Sequence, residues 1–304
     1  MEKHAALAVR LGRMSLKNPL MPAAGTFSVD TAREFYDINK LGAIVAKTIT
    51  PLERRGNETP RAAEVYGGML NSVGLQNPGL EAFLRLEAPK LTEVEPPVII
   101  SIAGHSIADF ALMAQALDPL RQIAALEVNV SCPNVACGGR VFAADPVQVE
   151  AVVAAIRRVT HKYLIIKLSP NVGDITEMAA AAEHAGGDCL CLANTLLGMK
   201  IDIHRRRPVL ANIVGGMSGP AVKPVILRMV YQTYSRVKIP LIGVGGIATM
   251  EDVLEYMMAG ASAVQVGTAA FTDPLILPRL IDELAEYADR QEICLADLIG
   301  VAQV

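Results

Sequence analysis

Eight short apolar runs, separated by longer segments, constrain most strongly how this chain of 304 residues folds. Most of the separating segments have helical periodicity, and strands that alternate with helices form right-handed βαβ units around a parallel sheet. The predicted strands begin at Pro19, Ala43, Pro97, Leu126, Tyr163, Cys189, Pro240 and Ala263. Eight such units predict an α/β protein with a closed (β/α)8 TIM barrel and long substrate-side loops, in which residues 1–304 form one domain.

A doubly wound sheet is the alternative architecture for alternating strands and helices. Its first strand leads directly into a glycine-rich dinucleotide turn, and no Gly-x-Gly-x-x-Gly pattern follows any predicted strand. Helix boundary signals fit the barrel segments: a serine start at Ser106, an Asp-Pro start at Asp145, and terminal glycines at 186–187. These observations favour the barrel.

Two connections between predicted strands are unusually long. Residues 50–78 follow the second strand, and residues 196–219 follow the sixth. Loops of that length are usually lids or binding loops, so we expect both on the substrate side of the barrel. Within the second connection, residues 199–203 and 208–213 are expected to pair as a small antiparallel ribbon.

The composition argues against several classes of protein. Hydrophobic residues make up 52% of the chain, and mean hydropathy is +0.34, yet no uninterrupted apolar run reaches the ~20 residues of a membrane helix. The N-terminus lacks the continuous apolar segment of a signal peptide or anchor. A net charge of −3 offers no basic field for nucleic acid, and we interpret the basic run at 204–208 as a solvated loop.

Cysteine usage indicates a reducing compartment. The chain has five cysteines, an odd number without framework spacing, and no Cys-x-x-Cys cluster suited to zinc or an iron–sulfur centre. We therefore expect a cytoplasmic protein without a metal site of its own.

Polar residues stand where the predicted strands end, which is the face that carries the active site in such barrels. They are Lys47, Thr48, Ser101, Asn129, Cys132, Lys167, Ser169, Asn194 and Thr195. Each has an ordinary interpretation as well, because asparagines form turns and lysines reach solvent along their stems. Their joint placement favours a ligand site. The two lysines have no nearby acidic residue in their own strands, so we expect them to need an anionic partner, and a ligand could be that partner.

Glycines follow the seventh and eighth strands at Gly245, Gly246 and Gly267. Small residues there let backbone N–H groups approach a phosphate, with a helix N-terminus behind it. The segment is similar to the phosphate site of many flavin mononucleotide barrels, but barrels that bind other phosphates share it. On its own it predicts a phosphate ligand rather than a flavin.

A cysteine ends the fourth predicted strand, in the stretch EVNVSCPNVACGG at 127–139. A packing cysteine followed by a turn would explain the pattern, because free cysteine is among the most buried residue types. A reactive thiol at the mouth of a site explains it as well. Cys132 opens a glycine-rich loop that runs to Asp145, and we expect this loop to close over the substrate as a lid.

Six motifs together resemble the dihydroorotate dehydrogenase family over almost the whole chain. They are NVSCPNV (129–135), NSVGLQNPG (71–79), AKTIT (46–50), ANTLLGMKID (193–202), GGMSGPAVKP (215–224) and GVGGI (243–247). Class 1 members carry a cysteine base where class 2 members use serine, and class 2 members add an N-terminal membrane-associating extension. ANTLLGMKID and the Gly-Gly after Cys137 resemble class 1B more than class 1A.

The resemblance implies a catalytic subunit with flavin mononucleotide (FMN) that oxidises dihydroorotate to orotate in de novo pyrimidine biosynthesis. Cys132 would remove the C5 proton and FMN N5 would take the C6 hydride, while Lys47 would contact both substrate and flavin. Electrons would pass to NAD through a partner subunit that carries FAD and a [2Fe-2S] cluster. The assembly would be a heterotetramer built on a homodimer of this chain.

The resemblance also implies two sets of binding residues. Those for the substrate are Lys47, Asn71, Ser72, Val73, Gly74, Leu75, Asn129, Asn134, Asn194 and Thr195. Those for FMN are Ala24, Lys47, Thr48, Ser101, Asn129, Lys167, Ala193, Gly219, Gly245, Gly246, Gly267 and Thr268. Lys167 would lie beside the flavin pyrimidine edge and stabilise the negative charge of the reduced flavin, and the glycines with Thr268 would hold the phosphate.

Two of these positions depart from the family pattern. Ser101 stands where asparagine is usual, and Ala24 stands where serine is common. A serine still donates one hydrogen bond, whereas an alanine side chain donates none. Three other functions stay open: a class 1A-like enzyme that uses fumarate without a partner, a flavin-free phosphate-binding barrel isomerase or synthase, and a non-enzymatic binding subunit. The lysines and the thiol at the barrel mouth disfavour the last.

Overall fold

Eight parallel strands form the centre of the computed structural model, which describes residues 6–131, 136–137, 140–141 and 145–304. They are β1 (Leu20–Pro22), β2 (Ile44–Ile49), β3 (Val98–Ile102), β4 (Ile123–Asn129), β5 (Tyr163–Lys167), β6 (Cys189–Leu192), β7 (Leu241–Val244) and β8 (Ala261–Val266). Consecutive strands pair from β2 through β8, and β8 pairs with β1. β1 and β2 are the two edges of this sheet, and just before β2 the Gly42 N–H donates to the Leu20 carbonyl of β1 at 2.9 Å. The predicted TIM barrel is confirmed.

Helices connect the strands at the predicted places. The described part of the chain contains α1 (Val29–Arg33), α2 (Gly79–Ala82), α3 (Ile107–Leu117), α4 (Pro146–Arg157), α5 (Ile175–His184), α6 (Lys223–Tyr234), α7 (Met250–Met258), α8 (Ala269–Thr272) and α9 (Ile276–Gln291). Ser106 caps α3 in a reciprocal capping box with Asp109, and Asp145 caps α4 ahead of its first-turn proline. Gly186 has a positive φ just beyond α5. The predicted helix boundaries are therefore confirmed.

The barrel strands are buried on both faces, which explains the high hydropathy. Every residue of β3, β5, β6 and β8 is buried. Helices cover the outside of a parallel barrel while side chains fill its interior, so the strands need apolar residues at successive positions. Among the described residues, no helix combines the length and the apolarity that crossing a membrane requires.

The two long connections meet in a four-stranded antiparallel sheet. Its order is Leu196–Met199, Val214–Ser218, Gly68–Asn71 and Ala62–Val65. We predicted lids or binding loops without a pairing between them, and strands from both connections form one sheet, in which Gly216 pairs with Asn71. A local pattern cannot show this pairing, because the strands lie more than 140 residues apart.

Shorter antiparallel pairs complete the fold. The predicted ribbon is confirmed in part: Ile201–Asp202 pairs with Arg207–Pro208, so the second strand begins one residue early and includes only Pro208 of residues 208–213. The basic run between these strands is exposed, as predicted for a solvated loop. A hairpin of Val9–Leu11 and Met14–Leu16 precedes the barrel. In the loop after β4, Ala136–Cys137 pairs with Arg140–Val141.

We expect Gly42→Ala to destabilise the barrel at its closing strands. An added Cβ would collide with the backbone carbonyl of Asn18, which cannot rotate away as a side chain would. Overpacking of this kind costs typically about 1–3 kcal/mol of unfolding free energy, measured from urea denaturation. Gly173→Ala is the matched control, because nothing lies within 4 Å of its added Cβ. Equal stabilities of the two variants would contradict this account.

Candidate active site

Lys47 projects from β2 as a half-buried ammonium. Burial lowers the pKa of Lys47 below its ordinary value. Within the described residues its ammonium has no hydrogen-bond or ion-pair partner, and Nζ lies 3.3 Å from the place where a Cβ on Gly25 would be. Among the residues that the structure describes, this cation therefore has no counter-charge. An anionic ligand for Lys47 therefore stays a prediction, and the half-buried ammonium, unpaired in the described part of the chain, supports it.

Lys167 has a different environment, because its anionic partner is a residue of the chain itself. Its Nζ lies 3.4 Å from Oε1 of Glu127 on the neighbouring strand β4, and 3.1 Å from Oε1 of Gln265 on β8. Burial alone would lower the pKa of Lys167, but the Glu127 carboxylate raises it above the ordinary value. The Glu127 carboxylate is thus the counter-charge of this buried ammonium before any ligand binds.

Thr48 and Ser101 form a buried hydrogen bond on adjacent strands. Their hydroxyl oxygens lie 2.9 Å apart, and both side chains are buried. Each hydroxyl has one donor and two acceptor positions, so this pairing leaves capacity for a ligand. The flavin contacts implied for both residues stay predictions.

Asn129 and Asn194 meet at the ends of β4 and β6. Asn194 Nδ2 donates to Asn129 Oδ1 at 3.2 Å, and the Ser131 N–H donates to the same oxygen at 3.2 Å. The Thr195 N–H donates to Asn194 Oδ1 at 2.8 Å. The acceptor oxygens of both amides are therefore engaged, while Asn129 Nδ2 has no acceptor among the described residues.

The chain beyond β6 is held by an asparagine that the sequence interpretation overlooked. Asn171 Nδ2 donates to the Thr195 carbonyl at 2.9 Å, and Asn171 Oδ1 accepts from the Leu197 N–H at 2.9 Å. Ala193 lies at the start of this segment and is buried. Asn171 thus fixes the backbone that carries Asn194 and Thr195.

Two further overlooked asparagines position the predicted substrate loop at 72–75. Asn57 Nδ2 donates to Ser72 Oγ at 2.9 Å and to the Ser72 carbonyl at 3.1 Å. Asn77 is buried; its amide accepts from the Thr50 and Gly79 N–H groups and donates to the Leu75 carbonyl at 2.8 Å. The loop includes Val73 and Gly74, whose contacts with substrate stay predictions.

Glycines form a tight cradle between the end of β7 and the turn that leads into the start of α6. Gly219 and Gly246 both have φ in the left-handed region, at 105° and 74°. A Cβ on Gly246 would lie 2.8 Å from the Lys223 Cβ and 2.9 Å from the Gly219 carbonyl. Gly245 precedes Gly246, and its carbonyl accepts from the Tyr256 hydroxyl at 2.7 Å. Only glycine lets the two loops approach so closely.

An ion pair fixes the helix start behind the cradle. Lys223 Nζ donates to Asp252 Oδ1 at 2.6 Å, and Asp252 Oδ2 accepts from the Ala248 and Thr249 N–H groups at 2.8 and 2.9 Å. Burial raises the pKa of Asp252, but the Lys223 ammonium and these N–H groups lower it below its ordinary value. Residue Asp252 thereby binds the end of β7 to the start of α7.

The ends of β8 and β1 complete this side of the barrel mouth. Thr268 Oγ1 lies 2.8 Å from Ser218 Oγ, which places Thr268 next to the Gly219 turn. A Cβ on Gly267 would lie 3.3 Å from the Ala23 Cβ. Ala24 follows directly and is half-buried. The structure thus brings three predicted phosphate or flavin positions, Ala24, Gly267 and Thr268, onto the adjacent ends of β1 and β8.

Cys132 and Asn134 lie outside the described residues, as does most of the loop that we predicted to close as a lid. Their roles as proton acceptor and substrate contact therefore stay predictions. Immediately before them, Ser131 is buried, and its hydroxyl donates to the Lys167 carbonyl at 2.9 Å. The start of the loop is thereby tied to the end of β5.

Comparison with known proteins identifies the family. The family model described as dihydroorotate dehydrogenase matches residues 6–287. A protein of Trichlorobacter lovleyi named "dihydroorotate dehydrogenase B (NAD(+)), catalytic subunit" is 49% identical over 300 residues, covering 98% of this chain and 99% of the relative. A protein of the same name from Halalkalibacterium halodurans is 49% identical over 296 residues, covering 97% of each. Another, from Listeria welshimeri, is 50% identical over 279 residues, covering 91% of this chain and 92% of the relative. The chain therefore belongs to the dihydroorotate dehydrogenase family.

Proposed function

We propose that this chain is the FMN-bearing catalytic subunit of a class 1B, NAD-linked dihydroorotate dehydrogenase. It oxidises dihydroorotate to orotate in de novo pyrimidine biosynthesis. The observation that carries the proposal is the half-buried Lys47 ammonium at the barrel mouth, which has no counter-charge among the described residues. Dihydroorotate bears a carboxylate, and a charge-assisted hydrogen bond from Lys47 would give the ammonium and the carboxylate each a counter-charge.

The described residues also fit FMN. Its phosphate would lie in the cradle formed by Gly219 and Gly246. A side chain on Gly246 would collide with the Gly219 carbonyl, and the absence of one lets backbone N–H groups approach the phosphate. When bound, FMN supplies the hydride acceptor. The residues proposed to hold the phosphate are Gly219, Gly245, Gly246, Gly267 and Thr268. Those proposed along the rest of the flavin are Ala24, Lys47, Thr48, Ser101, Asn129, Lys167 and Ala193.

Amide groups orient the substrate in this proposal. Asn129 Nδ2 has no acceptor among the described residues, and one N–H of Asn194 Nδ2 is already used on Asn129. The Asn71 amide donates only a long hydrogen bond to the Gly216 carbonyl, at 3.4 Å. Unused donors and acceptors of this kind match the ring amides and carbonyls of a pyrimidine.

The reaction is tested directly by anaerobic addition of dihydroorotate to the purified chain. We expect the flavin absorbance to bleach, because the substrate reduces the bound cofactor without any partner. A yellow protein that does not bleach would overturn the substrate assignment. A colourless protein that takes up no added FMN would favour the flavin-free isomerase or synthase instead.

We expect Cys132→Ala to slow flavin reduction by dihydroorotate about 10²–10⁴-fold, the usual contribution of a general base. FMN is expected to remain bound, because Cys132 is not among the proposed flavin contacts. Stopped-flow absorbance measures the rate. Cys294→Ala is the control, since Cys294 is a free cysteine near the C-terminus, far along the chain from the site. A fully active Cys132→Ala variant would contradict the assignment of the base.

We expect Lys47→Met to weaken binding of the product orotate about tenfold or more, in line with the loss of a hydrogen bond to a charged group. Because burial lowers the pKa of Lys47, the ammonium loses its proton at a lower pH than an ordinary lysine does. Orotate affinity should therefore fall as the pH rises through that lowered pKa, and Lys47→Met should remove this decline. Titration calorimetry against pH measures both effects.

The control for that experiment is Lys90→Met. Lys90 is a partly exposed lysine that pairs with Asp30 and lies in the segment before β3. Its removal should leave orotate affinity unchanged at every pH. A Lys47→Met variant that binds orotate like the parent would contradict the proposed counter-charge.

The electron acceptor is proposed from the names of the relatives, which are catalytic subunits of NAD(+) enzymes. We propose a partner subunit with FAD and a [2Fe-2S] cluster, joined to a homodimer of this chain in a cytoplasmic heterotetramer. The chain alone should not reduce NAD with dihydroorotate, and the added partner should restore that activity. Steady turnover of the isolated chain with fumarate would instead support the class 1A-like alternative.

A further inference from the structure

Three polar side chains form a closed cluster inside the barrel. Lys167 Nζ contacts Glu127 Oε1 at 3.4 Å and Gln265 Oε1 at 3.1 Å, and Gln265 Nε2 donates to Glu127 Oε2 at 2.6 Å. Glu127 and Gln265 have no solvent exposure, and Lys167 is 6% exposed. Each member contacts the other two, so the position of the ammonium is fixed by two strands besides its own.

Barrel stability alone does not require this cluster. The interior layers of such barrels are usually filled by bulky branched apolar residues. A buried ion pair loses the hydration of both charges, and its replacement by apolar residues is often neutral or stabilising. A paired acid and lysine in the interior therefore suggest a role beyond packing.

The cluster lies directly beneath the barrel mouth. Lys167 is the last residue of β5 and is in register with Asn129, the last residue of β4. Glu127 lies two residues earlier on β4, and therefore one interior layer deeper. The carboxylate thus contacts the ammonium from the closed side, and the third N–H of Lys167 has no acceptor among the described residues.

The charge of the cluster is one positive and one negative group. Cys191 is in register with Lys167, and burial raises the pKa of its thiol far above the ordinary value, so it stays neutral. Gln265 is uncharged. The Glu127 carboxylate is therefore the group that offsets the Lys167 ammonium.

We propose that Glu127 is a positioning residue that, together with Gln265, orients Lys167 and lowers the reduction potential of the bound flavin. This inference rests on the proposed function, because it requires FMN above Lys167. Taking up two electrons and one proton leaves a reduced flavin with an added negative charge. The ammonium favours that charge and the carboxylate opposes it, so Glu127 limits how strongly Lys167 promotes reduction.

The test is the midpoint potential of the holoprotein, measured by spectrophotometric equilibration with a reference dye in the absence of dihydroorotate. Glu127→Gln should shift the equilibrium about tenfold toward reduced flavin, which is about 30 mV for a two-electron couple. Asp188→Asn is the matched control. It removes the same charge just before β6, at the opposite end of the barrel, and should leave the potential unchanged.

A second variant separates the electrostatic role from a structural one. Glu127 accepts hydrogen bonds from both Lys167 and Gln265. Glu127→Gln replaces one of its two acceptor oxygens by an N–H donor, so one hydrogen bond of the cluster is lost. The double variant E127Q/Q265E restores every hydrogen bond and returns a carboxylate beside Lys167. It should recover most of the parent potential. A potential that stays raised when the hydrogen bonds and the charge are restored would overturn the proposal.

An unchanged or lowered potential in Glu127→Gln, or an equal shift in Asp188→Asn, would also overturn it. If Glu127→Gln does not fold, Glu127→Met repeats the comparison, because it removes the carboxylate without adding an amide donor, and it should again have the higher potential. Bleaching of the parent by dihydroorotate is scored separately. A parent that bleaches while these potentials coincide would leave the proposed function intact and reject only the role of Glu127.

Discussion

The hydrogen bond from the Gly42 N–H to the Leu20 carbonyl holds together the two strands at which the barrel closes. A side chain at residue 42 would meet the Asn18 backbone, so the approach depends on glycine. Closure puts the ends of β1 and β2 on one rim, with Lys47 close to Gly25. Every parallel strand then delivers its last residues to the same rim, where the proposed substrate and flavin contacts meet.

A second long-range pairing joins the two halves of the proposed site. Val214–Ser218 pairs with Gly68–Asn71. The first strand leads into the Gly219 turn of the phosphate cradle, and the second leads into the substrate loop at 72–75. One antiparallel sheet therefore sets the spacing between the cradle and the loop. A displacement of either segment would be transmitted to the other through the shared backbone hydrogen bonds.

The fold was predicted from patterns within a few residues of sequence. Such local patterns do not show which distant residues contact each other. The eight strands and the caps of α3 and α4 follow from patterns within a few residues, and they are confirmed. The partner of Lys167 was overlooked because Glu127 lies on another strand, although a charged residue inside an apolar run was itself a signal of pairing. The loop asparagines Asn57 and Asn77 were overlooked because an asparagine in a loop is ordinarily interpreted as a turn former. The role of Cys132 came from family resemblance, and that residue lies outside the described part of the chain.

The two lysines of the barrel mouth have opposite environments. The difference matches the ligands proposed for them, a resident cofactor for Lys167 and an exchanging substrate for Lys47. Lys167 is fixed by Glu127 and Gln265, so its charge is in place whether or not a ligand is bound. Lys47 has no counter-charge among the described residues, and burial lowers its pKa. A resident cofactor benefits from a charge that does not move or titrate as it changes redox state. A substrate that enters and leaves benefits from a cation whose favourable pairing is completed only by binding.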